Sequence, residues 1–273
     1  FRLHSKERNF GVWGAASVLV YSALHNDTDG MVFDSRKYRH PKGEHWWRIP
    51  VLREYLPQYE WAMWVDADTI VNDFAIDLDE LVRSVSDETI LIVRVVHIPG
   101  ISDDLNNGVF MIRNHPEAFE LLRDWDTMPN SNGGYFDQSD LITILNYDKR
   151  LAKSHRKAPK GDRFWKRTKF QDRSGLLLQH YSAKCNDYRP GERAFISHYP
   201  GACTPDWTWA RTEFCKAFSR TAVMRAEIAR NPRAHGSVSP QEVAGVAWAV
   251  EQCTNREELD DLRNRVNALE RTR

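Results

Sequence analysis

Two aspartates, Asp66 and Asp68, follow a run of apolar and aromatic residues with only Ala67 between them. A carboxylate at the end of a buried segment must be paired, hydrogen-bonded or bound to a cation, because desolvating its charge costs on the order of several kcal/mol. In an extended chain, residues i and i+2 point to the same side, about 6.6 Å apart. Both carboxylates can therefore converge on one cation.

Three chemistries use such a pair. A divalent metal can be held by the two carboxylates while substrate phosphates complete its coordination shell. A glycosidase uses two carboxyl groups as acid and base, although neighbours at one strand end seldom lie on both sides of a scissile bond. An aspartyl-phosphate phosphatase also uses a strand that ends in Asp-x-Asp. The spacing alone does not choose among these chemistries, and a purely structural role stays open as well.

The elements that must position the pair predict an α/β fold. Residues 60–65 are apolar, aromatic and β-branched, which is typical of a central strand buried on both faces. Alternating strands and helices predict a largely parallel sheet with helices on both faces, in which ligands bind at the carboxyl ends of the strands. The other predicted strands cover residues 30–34, 89–97 and 107–113, and the predicted helices cover 9–25, 49–56, 77–86, 116–125 and 139–146.

Composition excludes several classes of protein. With 273 residues, 41% hydrophobic and 28% charged, the sequence is typical of a globular protein rather than a disordered or fibrous one. Lys plus Arg equals Asp plus Glu at 38 each, so no net charge favours nucleic acid as a partner. Four cysteines without a Cys-x-x-Cys spacing argue against a zinc ribbon and allow zero to two disulfides.

Two segments stand apart from the predicted α/β core. The strongly basic stretch over 149–169 is interpreted as a long solvated connection, with an anion-binding surface as the alternative. We expect a catalytic domain over residues 1–235 and a helical tail over 236–273. Leucine and valine recur in that tail at a spacing that would permit a homodimer through a short coiled coil.

Five blocks of sequence, taken in order, resemble glycosyltransferase family 34, the Golgi galactosyl-, mannosyl- and xylosyltransferases with a GT-A fold. The similarity extends from about Trp46 to Cys203. The blocks are WWRIPVLR at 46–53, YEWAMWVDADTIV at 59–71, LNNGVFMIRN at 105–114, FDQS at 136–139 and SHYPG at 197–201. The resemblance implies a GT-A fold whose first strand is missing here or lies upstream of Phe1.

The resemblance also implies roles for individual residues. His198 would bind Mn²⁺ together with Asp66 and Asp68, since imidazole and carboxylates suit that ion. Gln138 would lie under the anomeric carbon, and Asp137 would hydrogen-bond the donor sugar or, as a less favoured alternative, act as a covalent nucleophile. The implied substrate-binding residues are Asp66, Arg48, Asn106, Asn107, Gly108 and Gly201.

The implied reaction is retaining transfer of a hexose or pentose from a nucleotide sugar to an acceptor hydroxyl. A UDP-sugar is the favoured donor and GDP-mannose is possible, while the acceptor is a glycan, a polypeptide or a small molecule. The family resemblance places the chain in the Golgi lumen, as the soluble part of a membrane-anchored enzyme whose anchor would precede Phe1; otherwise the chain would be cytoplasmic.

One departure from the family pattern keeps alternatives open. Cys203 stands where the family has a lysine that contacts the diphosphate. Diphosphate binding must then depend on the metal or on another basic residue, such as Arg211 or one in 149–169. A non-catalytic relative that binds nucleotide sugar is therefore a second interpretation. A phosphatase is a third, although its catalytic strand is expected close to the start of the domain.

Overall fold

The computed structural model describes residues 7–25, 27–33, 37–98, 102–128, 136–145, 163–171, 177–181, 194–199 and 207–219, together with 247, 249, 252 and 253. The chain divides into two compact units. The smaller unit comprises residues 1–32, 67–77 and 199–273, and the larger unit comprises 33–66 and 78–198.

The larger unit contains most of the regular structure. Its helices are α2 (Arg48–Tyr55), α3 (Leu78–Arg83), α4 (Pro116–Thr127), α5 (Asp137–Ile144) and α6 (Arg163–Lys166), with short 3-10 turns at Glu44–Trp46 and Leu56–Gln58. Its strands are β1 (Trp61–Val65), β3 (Leu91–Ile98), β4 (Ser102–Arg113), β5 (Thr168–Gln171), β6 (Leu177–Tyr181) and β7 (Ala194–His198).

Four of these strands form a mixed sheet in the order β1-β4-β3-β5. Strands β1 and β3 both run antiparallel to β4, whereas β5 is parallel to β3. Strands β6 and β7 also pair in parallel. The predicted mixed α/β fold is confirmed, but a mostly parallel arrangement is wrong for this four-stranded sheet, because two of its three pairings are antiparallel.

Strand β1 differs from its prediction as a central strand. It lies at the edge of the four-stranded sheet, and all five of its residues are only half-buried. Its aromatic residues are covered by cations instead of by neighbouring strands. The guanidinium of Arg113 lies 5.4 Å from the Trp61 ring, and that of Arg48 lies 5.4 Å from the Trp64 ring. Cation–π contacts of this kind stabilise an aromatic residue at a partly exposed edge.

Helices α4 and α5 pack on the sheet and share its core. Helix α4 begins at Pro116, preceded by the ring of His115, which accepts a hydrogen bond from the Glu117 N–H. Its buried residues recur at helical spacing and form one apolar stripe, which comprises Ala118, Leu121, Leu122 and Trp125. Trp125 also donates from Nε1 to the carbonyl oxygen of Asp137 at 2.8 Å, which fixes the start of α5 against α4.

Strand β4 contains a bulge that matters for the site. Val93 of β3 faces Phe110, but the next residue, Arg94, faces Asn106. Residues 107–109 therefore have no counterpart on β3. Bulges redirect side chains and are common beside active sites. Here the bulge lies at the end of β1, where Val65 pairs with Val109.

The smaller unit contains α1 (Glu7–Leu24), β2 (Thr69–Val71) and α7 (Trp207–Ser219), which pack together. Ser17 on α1 accepts a hydrogen bond from the Val71 N–H at 3.2 Å. A Cβ atom added at Gly14 would lie 2.7 Å from the carbonyl oxygens of both Ala67 and Thr69. Only glycine therefore permits α1 to approach the segment that carries Asp68.

Most predicted elements are present with shifted ends, and two expectations are corrected. Residues 30–33 are not in a strand, and residues 67–68 form a turn instead of extended chain. None of the helices that the structure describes combines the length and apolar character needed to span a bilayer. Several predicted features lie outside the described residues. They are residues 149–162, Gly201, Cys203 and all but four residues of the tail over 236–273.

A disulfide joins Cys215 of α7 to Cys253, 38 residues further along the chain. In the chain-entropy model a crosslink over such a separation stabilises the folded state by about 3–4 kcal/mol. We expect the Cys215→Ser/Cys253→Ser variant to lose free energy of unfolding of that order, measured by urea denaturation.

The single variants provide the control for this prediction. Each should lose about as much as the double variant, because either substitution removes the same bond. Full wild-type stability in the double variant would contradict the assignment.

Candidate functional site

Arg48, the first residue of α2, connects several polar residues of the larger unit. The side chain is only 6% exposed. Its Nη2 lies 3.1 Å from Oδ1 and 3.3 Å from Oδ2 of Asp66, and its Nε lies 3.2 Å from Oδ2 of Asp137. Its Nη1 donates to the carbonyl oxygen of Asn107 at 2.5 Å. One buried cation thus lies between two carboxylates and offsets part of their mutual repulsion.

Asp137 is the more deeply buried of the two carboxylates, at 3% exposure. Burial raises the pKa of its carboxyl above the ordinary value; the Arg48 guanidinium opposes that rise, and the negative charge of Asp66 adds to it. Asn107 donates from Nδ2 to Asp137 Oδ2 at 2.8 Å, which also favours the ionised form. Arg48 and Asn107 therefore both oppose the effect of burial on the pKa of the Asp137 carboxyl.

Asp66 is fixed by main-chain and side-chain hydrogen bonds. Its N–H donates to the carbonyl oxygen of Gly108 at 2.8 Å, which attaches the end of β1 to the bulge of β4. The Trp64 indole donates from Nε1 to Asp66 Oδ1 at 2.6 Å. The carboxylate is therefore oriented by Trp64 and Arg48 before any ligand binds.

His198, at the end of β7, is 3% exposed and held by two amide side chains. Its Nδ1 lies 2.9 Å from Gln179 Oε1 and 3.1 Å from Asn106 Oδ1. Gln179 donates from Nε2 to the carbonyls of Asn106 and Val109, each at 3.1 Å, and Asn106 Oδ1 accepts from the Gly108 N–H at 3.0 Å. These hydrogen bonds orient the side-chain amides of Gln179 and Asn106 so that the oxygen of each points toward the imidazole of His198. Nδ1 must therefore carry a proton, which in the neutral ring leaves the lone pair on Nε2.

Gly108 is required by the position of that ring. A Cβ atom at residue 108 would lie 2.1 Å from Cε1 of His198 and 2.7 Å from its Nδ1. No side chain fits at that distance, so the imidazole occupies the space that any other residue would fill. Gly108 thus makes room for His198, and the substrate contact that the sequence resemblance implies for it stays a prediction.

Asp66, Asp68 and His198 each offer one ligand atom, and these atoms all lie within 4.8 Å of one another. Oxygen ligands lie about 2.0–2.6 Å from a shared Mg²⁺ or Ca²⁺ ion, so the ligand atoms of one such cation lie within roughly 5 Å of one another. The peptide groups assist this arrangement, since the N–H of Tyr199 donates to the carbonyl oxygen of Asp68 at 2.9 Å. The grouping implied by the family resemblance is therefore present.

Two further predicted residues, Gln138 and Arg211, have described hydrogen bonds. Gln138, the second residue of α5, accepts from the Asn107 N–H at 3.3 Å through its side-chain oxygen. Arg211 is exposed and donates to the carbonyl oxygen of Gln252 at 2.6 Å and 3.2 Å. That bond lies within the smaller unit, so Arg211 is already engaged by the backbone there.

Sequence reasoning missed Gln179 and Trp64. Gln179 is a fully buried polar residue in the apolar strand β6, and this interruption of an apolar run is the one signal that could have indicated it. Trp64 was counted as an apolar residue of the strand, although a tryptophan beside an aspartate offers a hydrogen-bond donor.

Comparisons of the sequence with known proteins find glycosyltransferases. No family model matches the chain. Galactomannan galactosyltransferase 1 of Cyamopsis tetragonoloba is 31% identical over 143 residues, which are 49% of this chain and 31% of that protein. Putative glycosyltransferase 7 of Arabidopsis thaliana is 32% identical over 134 residues, which are 45% and 28% of the two chains. The chain spans about a third of the length of these curated relatives.

The fold is shared with a solved structure. The crystal structure of a glycosyltransferase involved in the glycosylation of the major capsid of PBCV-1 matches with a TM-score of 0.50 and 16% identity, over 78% of this chain and 95% of that one. At this identity the match concerns the fold alone. The chain is therefore a relative of plant glycosyltransferases with a GT-A type fold, which confirms the resemblance drawn from its five sequence blocks.

Proposed function

We propose that the chain is the catalytic part of a retaining, metal-dependent glycosyltransferase that moves a hexose or pentose from a UDP-sugar to an acceptor hydroxyl. The observation that carries the proposal is the group of Asp66, Asp68 and His198 in a chain with a glycosyltransferase fold. The relatives favour this function over the phosphatase suggested by the Asp-x-Asp pattern.

The three side chains fit a divalent cation by their chemistry. Two carboxylates and one imidazole suit Mn²⁺, and the hydrogen bonds to Nδ1 leave the lone pair of the neutral His198 ring on Nε2. A cation bound there would stabilise the negative charge that develops on the departing diphosphate. Asp66, Asp68 and His198 would hold it, and Gln179 and Asn106 would orient the imidazole.

Arg48 would keep the acidic residues in place during turnover. It contacts Asp66 on one side and Asp137 on the other, so it fixes a metal-binding carboxylate relative to a sugar-binding one. The exposure of Arg48 is low, and its three guanidinium nitrogens are already engaged by these residues and Asn107. Its proposed role is therefore positioning rather than direct contact with the donor.

Asp137 is better suited to binding the donor sugar than to attacking it. Its Oδ2 lies against both Arg48 and Asn107, and the side chain is almost inaccessible. A covalent nucleophile would have to leave these partners. Gln138 would instead place its amide oxygen near the anomeric carbon, where partial negative charge stabilises an oxocarbenium-like state while the acceptor approaches on the face of the leaving group.

Further parts of the proposal concern the donor, the partners and the compartment. UDP-sugar is the proposed donor, with GDP-mannose as the alternative to test. The disulfide between Cys215 and Cys253 supports the Golgi lumen over the cytoplasm, since disulfides persist in oxidising compartments. A homodimer through the tail over 236–273 stays a prediction.

Substitution of Asp68 and of Gln138 should affect different steps. We expect Asp68→Ala to lower Mn²⁺-dependent affinity for UDP by about 100-fold or more, because a direct ligand is worth at least as much as the outer partners of a metal site. Gln138→Ala should bind UDP with Mn²⁺ as the wild type does and lose hydrolysis and transfer of the sugar. Calorimetric titration and release of UDP from UDP-galactose, UDP-glucose and UDP-xylose measure the two effects.

Asp87→Ala is the matched control, because it removes the same charge from a fully exposed side chain. Wild-type UDP affinity in Asp68→Ala would refute the metal assignment. Binding of UDP without turnover of any donor would indicate a non-catalytic relative, and hydrolysis of p-nitrophenyl phosphate would indicate the phosphatase.

Gln179 offers a second test, at a residue that would touch neither metal nor substrate. Gln179→Met removes one acceptor from His198 Nδ1, so the other tautomer should become populated and Mn²⁺ affinity should fall about 10-fold, with Asn106 still accepting. Gln179→Glu keeps the acceptor but loses the two bonds donated to backbone carbonyls. It should keep the tautomer and lose stability.

Nitrogen-15 NMR of the imidazole, combined with Mn²⁺ titration, separates these two effects. An unchanged tautomer and unchanged Mn²⁺ affinity in Gln179→Met would show that Gln179 has only a packing role.

A further inference from the structure

We propose that Phe136 and His45 form an aromatic platform that binds a sugar ring of a carbohydrate acceptor. The proposal rests on the transferase function above and narrows its acceptor from the three open classes to a glycan. Phe136 is a residue type that does not suit its position in the fold.

Phe136 conflicts with local structural preferences in three ways. It is 52% exposed, the one large hydrophobic side chain with such exposure in the part of the chain that the structure describes. It is the N-cap of α5 without a side-chain capping bond, where Ser, Thr, Asp or Asn is preferred. Its backbone φ of 51° with ψ of −126° lies outside the left-handed helical region, favours glycine and is strained for a bulky residue. Local rules broken together at one residue point to a function.

The ring of Phe136 is held in a defined orientation despite its exposure. It stacks on the ring of His45 with centroids 4.1 Å apart and an angle of 13° between the planes. It also meets Trp46 edge-on at 6.5 Å and 87°. Trp46 is buried and donates from Nε1 to Asp140 Oδ2 at 3.0 Å, so it connects the platform to α5. An exposed ring with fixed orientation loses little conformational entropy when a ligand stacks on it.

The position of the platform indicates which part of a substrate it would meet. Phe136 directly precedes Asp137 and Gln138, and consecutive Cα atoms lie about 3.8 Å apart. With Gln138 at the anomeric carbon, the platform lies at the sugar end of the donor. In the proposed arrangement the base would lie at the other end of the donor, beyond the diphosphate that a metal at Asp66 and His198 would bind. The acceptor hydroxyl must reach the anomeric carbon, so its own ring is the group that comes next to Phe136.

The chemistry of a pyranose ring suits this platform. One face of such a ring presents several C–H groups whose hydrogens carry a small positive charge. These hydrogens are attracted to the negative face of an aromatic ring, as in other aromatic contacts. An extended peptide without aromatic side chains has no comparable flat face to stack on the Phe136 ring. The platform therefore favours a glycan over a polypeptide acceptor.

The test compares Phe136→Asn and Phe136→Trp with the wild-type chain. The probes are mannohexaose, cellohexaose and xylohexaose, titrated without donor and followed by NMR, while UDP with Mn²⁺ is titrated separately. Phe136→Asn should bind the preferred hexaose at least 10-fold more weakly, yet unfold at no lower temperature, because Asn is a preferred N-cap residue where Phe makes no capping bond. Phe136→Trp should keep hexaose binding.

Three kinds of outcome would overturn the proposal. The first concerns hexaose binding, which would be equal for Phe136→Asn and wild type, or absent in wild type. Another is a loss of UDP affinity in Phe136→Asn in place of hexaose affinity, which would make the platform a base-stacking site. The third is a lower unfolding temperature for Phe136→Asn, which would make Phe136 a structural residue. Failure of the transferase function itself would appear instead as absent Mn²⁺-dependent UDP binding, or as UDP binding without turnover of any donor.

Discussion

The guanidinium of Arg48 is the interaction on which the site depends. It lies between the carboxylates of Asp66 and Asp137 and also bonds the main chain of Asn107. Without it, two partly desolvated negative charges would face each other, and the burial of Asp137 would raise the pKa of its carboxyl further. Because Arg48 begins α2, a single side chain fixes a helix, the end of β1 and the start of α5 relative to one another.

The bulge of β4 supplies the rest of the arrangement. It turns Asn107 out of the ladder with β3 directly after Asn106, so that the Asn106 amide faces His198 and the Asn107 amide faces Asp137. The neighbouring Gly108 leaves the space that the imidazole occupies. Three successive residues thereby serve three purposes, which explains why a polar Asn-Asn-Gly segment directly precedes the apolar half of the strand.

The sequence predicted the chemistry of the site better than the geometry of the sheet. Asp66, Asp68 and His198 were grouped through the family resemblance, and the structure brings their ligand atoms together. Strand direction was predicted less well, because an apolar run such as 61–65 indicates burial but not the direction of its neighbours. Arginines cover the rings of Trp61 and Trp64, so this edge strand can carry the aromatic residues that are typical of a central strand. Gln179 was signalled only by a polar residue in an apolar run, since its role depends on strand pairing with β7 and not on a motif.

Both aspartates are tied to their surroundings by peptide groups. The N–H of Asp66 bonds to Gly108, and the carbonyl of Asp68 accepts from Tyr199, the residue after His198. Hydrogen bonds between peptide groups persist when the side chains of Ala67 and Tyr199 are exchanged, provided that the backbone conformation is kept. Evolutionary drift at such flanking residues can therefore proceed while the separation of the liganding groups is preserved. This is a physical route by which a shared architecture persists at 16% identity.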